Sequence, residues 1–144
     1  MKKSPQCLLS LKPLYAMEVM VYFACLPGEY NFVVKSLMVA HKTDVPYTWL
    51  VRIISDLSKA GLLVSIRGPG GGHYLNRHPR EISLMDIIYA VGKDIIVIHP
   101  SRVLFPSKDM TLFFSQLHSK IYSDFENTTL LDICDRDKVS PRWK

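Results

Sequence analysis

Residues 46–75 constrain the fold of this chain more than any other stretch. They read PYTWLVRIISDLSKAGLLVSIRGPGGGHYL: a segment ending at a glycine, then two short apolar runs around a tip with four of the chain's seven glycines. Apolar residues at three- and four-residue spacing predict a helix over residues 46–59, and short apolar runs flanking a glycine-rich tip predict a β-hairpin. The stretch therefore predicts a helix followed directly by a small hairpin.

The helix over residues 46–59 has two distinct faces. Its buried stripe is expected to consist of Leu50, Ile53, Ile54 and Leu57. The residues facing away from the core are Tyr47, Thr48, Val51, Arg52 and Ser55. A guanidinium, hydroxyls and a small aliphatic group can meet guanine edges, phosphates and thymine methyls in a major groove, whereas a merely solvated face usually carries more Glu and Lys. The outward face is therefore a candidate DNA-reading surface, with the hairpin as a wing along the backbone.

The glycine tip, residues 68–72, superficially resembles a phosphate-binding loop. Phosphate loops of nucleotide sites open a helix and carry Lys-Ser or a spaced GxGxxG, but these glycines join one strand to another and no Lys-Ser follows. The pattern therefore disfavours nucleotide binding. A thin glycine backbone can approach DNA closely, and Arg67 beside it can meet a phosphate or a narrow minor groove.

Two helices are predicted before this stretch. Residues 8–26 are apolar on nearly every face, so that helix must be covered on more than one side, either by a second subunit or as the central core helix of a monomer. Residues 33–41 predict the first helix of a helix-turn-helix from the spacing of Val34, Leu37, Met38 and His41. We expect His41 to pack at the edge of the core, and Thr43 or Asp44 to cap the helix that follows.

The chain after the hairpin divides into a short helix, a connection and a long helix. Ser83 and Asp86 have capping-box spacing for a helix that ends at Gly92, and Thr129 and Asp132 repeat that spacing near the carboxyl end. We predict a winged helix-turn-helix DNA-binding domain over residues 1–92, an apolar connection over 93–108, and a dimerisation helix and tail over 109–144. The residues assigned to the dimer interface are Phe113, Phe114, Leu117, Ile121 and Phe125. The alternative is that this helix folds back over its own domain.

Composition bounds the function only loosely. The 144 residues, 48% hydrophobic, suffice for one compact domain, and a net charge of +5 with a pI near 9.2 suits an anionic partner without singling out DNA.

No apolar run approaches the roughly 18 residues of a membrane span, and no secretory signal is present, so we expect a cytoplasmic protein. The five histidines are scattered, His73 and His78 being expected in solvent or near phosphate, and no paired carboxylates or nucleophile–base spacing indicates an enzyme.

The motifs resemble a known family, the bacterial Rrf2-type (IscR/NsrR/CymR-like) winged helix-turn-helix regulators. The resemblance covers about residues 8–92 and lies in AGLLVSIRGPGGGHYL, in the Leu50 to Leu57 helix and in the LYA element that begins at Leu14. It implies a homodimer on operator DNA, with the 46–59 helix in the major groove and the wing near the minor groove. By position, it implies base reading by Thr48 and Arg52 and wing contacts by Arg67, Pro69 and Gly70. Val51 stands where IscR has an acidic residue, so a different operator is expected.

The cysteines depart from the cluster-binding members of that family. Those members hold an iron–sulfur cluster through three closely spaced cysteines between the fourth helix and the dimer helix, whereas residues 93–108 here contain no cysteine and only His99. One imidazole does not replace three soft thiolates. Cys7, Cys25 and Cys134 are far apart and match neither a disulfide framework nor a CxxC site. We therefore expect no cofactor and no metal.

Together these features predict a homodimeric, sequence-specific DNA-binding transcription regulator, acting as a repressor and without an iron–sulfur cluster. In that reading the apolar connection, residues 93–108, is the candidate contact for an effector, either a protein or a small molecule. The alternative is a protein-interaction module of the same fold, which would use the connection and the long helix to bind another protein.

Overall fold

The computed structural model describes residues 11–28, 30–92 and 107–137. Within these ranges the chain is mainly helical, with one two-stranded antiparallel sheet and a short 3-10 helix at Pro79–Glu81. The elements, in chain order, are α1 (Leu11–Ala24), α2 (Ser36–Thr43), α3 (Tyr47–Lys59), β1 (Leu63–Ile66), β2 (Gly72–Leu75), α4 (Leu84–Val91), α5 (Lys108–Asn127) and α6 (Leu130–Asp137). The expected winged helix-turn-helix with a long helix after it is confirmed.

Helix α1 forms the centre of the core. Its side chains at Ala16, Val19, Met20 and Phe23 are almost fully buried. The helix packs against α2, α3, α4, α6 and the hairpin, which accounts for apolar residues on nearly every face. Contacts within one chain therefore cover α1, so it is a central core helix and does not need a second subunit to cover it.

Helix α2 begins later than the sequence pattern predicts. Val34 is extended and exchanges two backbone hydrogen bonds of 2.8 Å with His73, so it forms an isolated β-bridge to β2 and is not a helical residue. Val39 is the fully buried position of α2, whereas Leu37 is 72% exposed. His41 is exposed as well, and its expected packing at the edge of the core is wrong because Val34 is not helical and the buried side of α2 is the side of Val39.

The expected cap of α3 is also wrong. Pro46 occupies the cap position without a side-chain hydrogen bond. The Thr43 hydroxyl donates to the Val39 carbonyl at 2.7 Å and accepts from the Val45 amide at 3.4 Å, so it is already satisfied inside the turn. Asp44 adopts a left-handed conformation (φ 57°) and ends α2 by donating its amide to the Ala40 carbonyl at 3.1 Å.

The predicted stripe of α3 and the hairpin after it are confirmed. Leu50, Ile53, Ile54 and Leu57 are all buried. Gly61, at φ +76°, ends the helix in a conformation that favours glycine and directs the chain into β1. In the hairpin, Leu63 pairs with Leu75 and Ile66 with Gly72, which leaves residues 67–71 as the wing loop.

The carboxyl-terminal helices are attached to the same core. Ser83 and Asp86 form the predicted capping box of α4, which ends at Gly92. Near the end of α5, Tyr122 and Phe125 pack against Met85 and Ile88 of α4. Leu130 of α6 is fully buried in the main core and its amide donates to the Ile82 carbonyl at 2.9 Å. The predicted connection falls outside the described residues over 93–106. No described helix is long and apolar enough to cross a membrane.

Candidate nucleic-acid interface

The outward face of α3 is open to solvent, as the sequence pattern predicts. Tyr47 is 49% exposed and Val51 is 48% exposed, and Thr48 and Arg52 are exposed beside them. The opposite face of the same helix is the buried stripe, which fixes the rotation of α3 on the core. These four side chains therefore form a rigidly mounted surface of mixed donor, cationic and apolar character.

Trp49 is a surface feature that the sequence reasoning did not single out. Its ring meets the ring of Tyr15 edge to face, with centroids 5.8 Å apart, and it is still partly exposed on α3. On the same flank, the Lys12 ammonium forms an ion pair of 2.6 Å with Asp56. Both contacts tie α3 to α1 outside the core. The one sequence signal for the contact between Trp49 and Tyr15 is the position of Trp49 between the buried and the outward face of the helix.

The glycine-rich tip of the hairpin combines exposed residues with tightly packed ones. Arg67, Pro69 and Gly70 are exposed at the tip. A Cβ atom at Gly70 would meet nothing within 4 Å, but one at Gly72 would lie 2.6 Å from the Val34 carbonyl oxygen. One at Gly71 would collide with the carbonyl oxygen of Ile66, at the end of β1. The last two glycines of the tip are therefore needed by the fold itself, and Gly70 is free to approach a ligand.

A cleft joins the exposed face of α3 to the wing. It has a volume of about 410 Å³ and lies between α3, the start of α2 and the inner surface of the hairpin. Tyr47 and Val51 line it from α3, Ser65 and His73 from the hairpin, and Ser36 from α2. Ser55, also of the predicted outward face, lines the cleft as well, so the structure brings three residues of that face into one continuous surface with residues of α2 and the hairpin.

His73 links the walls of this cleft through a chain of hydroxyl groups. Its Nε2 atom is 2.7 Å from the Ser36 hydroxyl, and its Nδ1 atom is 2.8 Å from the Ser65 hydroxyl, which in turn lies 3.1 Å from the hydroxyl of Ser58. Burial lowers the pKa of His73 from the ordinary value for histidine. Of the two alternatives expected for His73, simple solvent exposure is therefore wrong, and a position near phosphate stays a prediction. His78 is half-buried too, and its Nδ1 atom accepts from the Arg80 amide at 3.2 Å.

Helix α5 presents apolar side chains on its surface. None of its described side chains is buried, and Phe113 is 56% exposed. Leu117 is exposed one turn further along, and Phe114 meets Phe113 edge to face with centroids 5.4 Å apart. Ile121 is half-buried, and Phe125 lies against Met85 and Ile88 of α4. Tyr122 and Phe125 in the carboxyl half of the helix therefore pack against its own domain, whereas Phe113 and Leu117 in the amino half are exposed.

Some winged-helix regulators hold a metal ion or cluster, which needs several ligating side chains in one place. The described residues contain no group of three or more His, Cys, Asp or Glu side chains placed to bind a metal ion. Cys25 is half-buried at the end of α1, Cys134 is half-buried on α6, and Cys7 lies outside the described residues. An iron–sulfur cluster needs several thiolates in one place, and the connection supplies none. The residues of this chain therefore do not fit such a cluster in the connection.

Comparison with known proteins gives one consistent result. Residues 9–136 match the Rrf2 family, whose description is "Iron-dependent Transcriptional regulator". The HTH-type transcriptional regulator IscR of Cereibacter sphaeroides is 33% identical over 91 residues, or 63% of this chain, and the chain spans only 59% of the length of that relative.

Two solved structures share the fold over nearly the whole chain. CymR (YrzC), the global cysteine regulator of B. subtilis, superposes with a TM-score of 0.73 at 27% identity and covers 94% of this chain and 98% of its own. T. potens IscR gives a TM-score of 0.71 at 25% identity, with 98% and 91% covered. These proteins are named as regulators and not as enzymes, as expected. Because the family match extends over residues 9–136, the chain belongs to the Rrf2 family of transcriptional regulators.

Proposed function

We propose that this chain is a homodimeric, sequence-specific DNA-binding transcription regulator that acts as a repressor without an iron–sulfur cluster. The observation that carries the proposal is the exposed set Thr48, Val51 and Arg52 on a core-anchored helix, continuous through the cleft with an exposed wing. In this proposal Arg52 donates to a guanine edge, Val51 meets a thymine methyl, and Thr48 and Tyr47 contact bases or phosphates.

The wing supplies the second contact of the proposed complex. Arg67 is exposed and cationic, and Pro69 and Gly70 form a narrow tip beside it. A thin, basic tip suits the phosphate backbone and the minor groove next to the site that α3 occupies. The net charge of +5 supports the approach to an anionic duplex at long range.

We propose that α5 is the dimerisation helix, as part of a division into residues 1–92 for DNA, 93–108 as the connection and 109–144 for the dimer and tail. The interface is assigned to Phe113, Phe114, Leu117 and Ile121, with Phe125 at its inner end. The exposed Phe113 supports the assignment because a large apolar group on a helix surface gains most when a second copy covers it. A symmetric dimer would place two α3 helices one DNA turn apart, about 34–36 Å.

The dimer is tested by mass measurement in solution. Phe113→Glu places a charge in the assigned interface and should convert the dimer to a monomer in sedimentation or light-scattering experiments. Ser119→Glu, at an exposed position of the same helix, is the control for added charge and should leave the dimer intact. A monomeric wild-type protein, or equal effects of the two substitutions, would contradict the assigned interface.

DNA binding is tested by selection and titration. The wild-type protein is used to select duplexes from a randomised library, and the affinity for the selected duplex is then measured at several salt concentrations. We expect saturable binding that weakens steeply with salt, by a logarithmic slope of about −0.9 for each neutralised phosphate. Failure to enrich any sequence, or an affinity independent of salt, would contradict the proposal.

Repression without a cluster is part of the same proposal, because binding to promoter DNA alone can block transcription. A dimer seated on promoter DNA excludes polymerase by occupancy alone, and the cysteines at positions 7, 25 and 134 are far apart in the sequence. Transcription in vitro from a promoter that overlaps the selected site should fall when the protein is added. A visible charge-transfer band in anaerobically purified protein, or increased transcription, would contradict this part of the proposal. We also propose that the regulator acts in the cytoplasm.

The second candidate function is a protein-interaction module of the same fold. It is favoured by an exposed apolar surface near α2, where Phe32, Leu37 and Met38 are all exposed. The apolar connection, residues 93–108, is the proposed contact for an effector, either a protein or a small molecule. No enrichment in the DNA selection, together with a stoichiometric complex with a purified partner protein, would favour this candidate over DNA binding.

A further inference from the structure

His73 occupies a junction between the elements that would touch DNA. Its backbone pairs with Val34 just before α2, and its side chain bonds Ser36 at the start of α2 and Ser65 on β1. Ser65 continues the chain to Ser58 near the end of α3. One imidazole therefore connects the helix-turn-helix to the wing at the floor of the cleft.

The surroundings of this imidazole favour its neutral form in the free protein. The titratable side chains that line the same cleft are Lys59 and Tyr47, both on α3, and no described lining residue is acidic. Partial burial disfavours imidazolium and lowers the pKa of His73. Burial therefore favours the neutral ring in the free protein, and none of the described residues lining the cleft offers a carboxylate to stabilise a proton on it.

We propose that His73 is a positioning residue of the DNA surface that takes up a proton when phosphates of bound DNA occupy the cleft. The inference rests on the proposed DNA-binding function and adds a coupling between that function and pH. Phosphate oxygens would be the first anions to face the ring, and an anion within about 4–6 Å favours the charged form of histidine. The proton comes from solvent, so binding and proton uptake are linked.

Proton uptake also changes what the serines can do. In a neutral ring one nitrogen donates and the other accepts, so one of the two bonded hydroxyls, Ser36 or Ser65, must point its hydrogen at His73. In imidazolium both nitrogens donate, and both serine oxygens accept. The Ser65 hydrogen is then free to bond Ser58, and the Ser36 hydrogen is free to donate to a phosphate. Protonation thus releases the one serine hydrogen that the neutral ring engages, and the Ser36 hydroxyl can then donate outward to a phosphate.

The test is the pH dependence of affinity for the selected duplex, between pH 5.5 and 8.5 at constant ionic strength. The pKa of His73 is expected to be higher in the complex, so affinity should fall as pH rises between the free and bound values, by at most about tenfold per pH unit for each protomer. His73→Gln should flatten this profile. His118→Gln, a histidine on α5 outside the cleft, should retain the wild-type slope.

Two further measurements keep the result decisive. Calorimetry in buffers of different ionisation enthalpy should show protons taken up on binding by the wild-type protein and fewer by His73→Gln. If His73→Gln does not fold, the ring proton resonances of wild-type His73 are titrated with and without the duplex, and a raised pKa in the complex supports the proposal.

Duplex binding with a flat wild-type profile, an equal slope in His73→Gln, or an unchanged His73 pKa in the complex would overturn the inference while leaving DNA binding intact. A wild-type protein that binds no duplex at any pH would instead overturn the proposed function, and the inference would fall with it.

Discussion

Replacing Gly72 with alanine tests how the wing is attached to the helix-turn-helix. Gly72 is the first residue of β2, directly before His73, and its Cα faces the backbone of Val34. An added Cβ would lie 2.6 Å from the Val34 carbonyl oxygen and 2.9 Å from a Val33 methyl carbon, against the 3.4 Å at which ordinary van der Waals contact begins. The Val34 segment would therefore have to move away from β2 by most of an ångström.

The energetic cost follows from the bonds that this movement breaks. Val34 and His73 exchange two backbone hydrogen bonds of 2.8 Å, and each is worth a net of about 0.5–1.5 kcal/mol. Overpacking of a tight site costs about 1–3 kcal/mol, the same range. Alanine restricts the unfolded chain and returns about 0.4–1 kcal/mol. We expect Gly72→Ala to lower the free energy of unfolding by about 1–2 kcal/mol.

The assay is urea denaturation at one fixed protomer concentration, because dimerisation would make stability depend on concentration. Gly70→Ala is the matched control, since its Cβ would meet nothing within 4 Å and Gly70 is not among the residues with positive φ. It should be neutral or stabilising by up to about 1 kcal/mol. Equal stabilities of Gly72→Ala and Gly70→Ala would refute the close approach of Val34 to the wing.

Three further predictions concern the rest of the fold. Leu130→Ala, in a fully buried site of α6, should cost about 2–5 kcal/mol in urea denaturation, whereas Leu131→Ala on the exposed side of the same helix should cost far less; similar losses would contradict the packing of α6. Ser83→Ala should lower stability by about 1 kcal/mol in thermal melts because it removes the cap of α4, and an unchanged melting temperature would count against the capping box. The folded pKa of His73 lies below its unfolded value, so its contribution to the stability of the DNA-free protein is present above about pH 6.5 and is lost as pH falls through the folded pKa. In urea denaturation, His73→Gln should therefore make stability less sensitive to pH in that window. An unchanged sensitivity would contradict the lowered pKa of His73.

The sequence was most informative where structure is determined locally. The stripe Leu50, Ile53, Ile54 and Leu57 repeats at helical spacing, so the rotation of α3 and its outward face could be predicted from one stretch. The end of α3 at Gly61 and the capping box at Ser83 depend on a few neighbouring residues, and both were predicted correctly. Local periodicity and turn chemistry therefore sufficed for the helix and hairpin that form the candidate site.

The sequence was least informative where a contact joins distant residues. The start of α2 was misplaced because Val34 fits a helical spacing, yet it pairs with His73, which no local pattern indicates. The chain of hydroxyls from Ser36 through His73 to Ser65 depends on the same pairing. The burial of Leu130 was missed for a similar reason, because α6 packs on α1, at the other end of the described chain.

The central claim is that the exposed face of α3 reads base sequence, and Arg52 tests it most directly. Affinities of wild-type protein, Arg52→Ala and Arg67→Ala are measured for the selected duplex and for a scrambled duplex of the same composition. Arg52 is exposed, so its removal should leave the fold intact. We predict that Arg52→Ala loses about 1–3 kcal/mol, roughly 5- to 150-fold, on the selected duplex and much less on the scrambled one, whereas Arg67→Ala weakens both similarly. Equal losses on both duplexes for Arg52→Ala would contradict the claim.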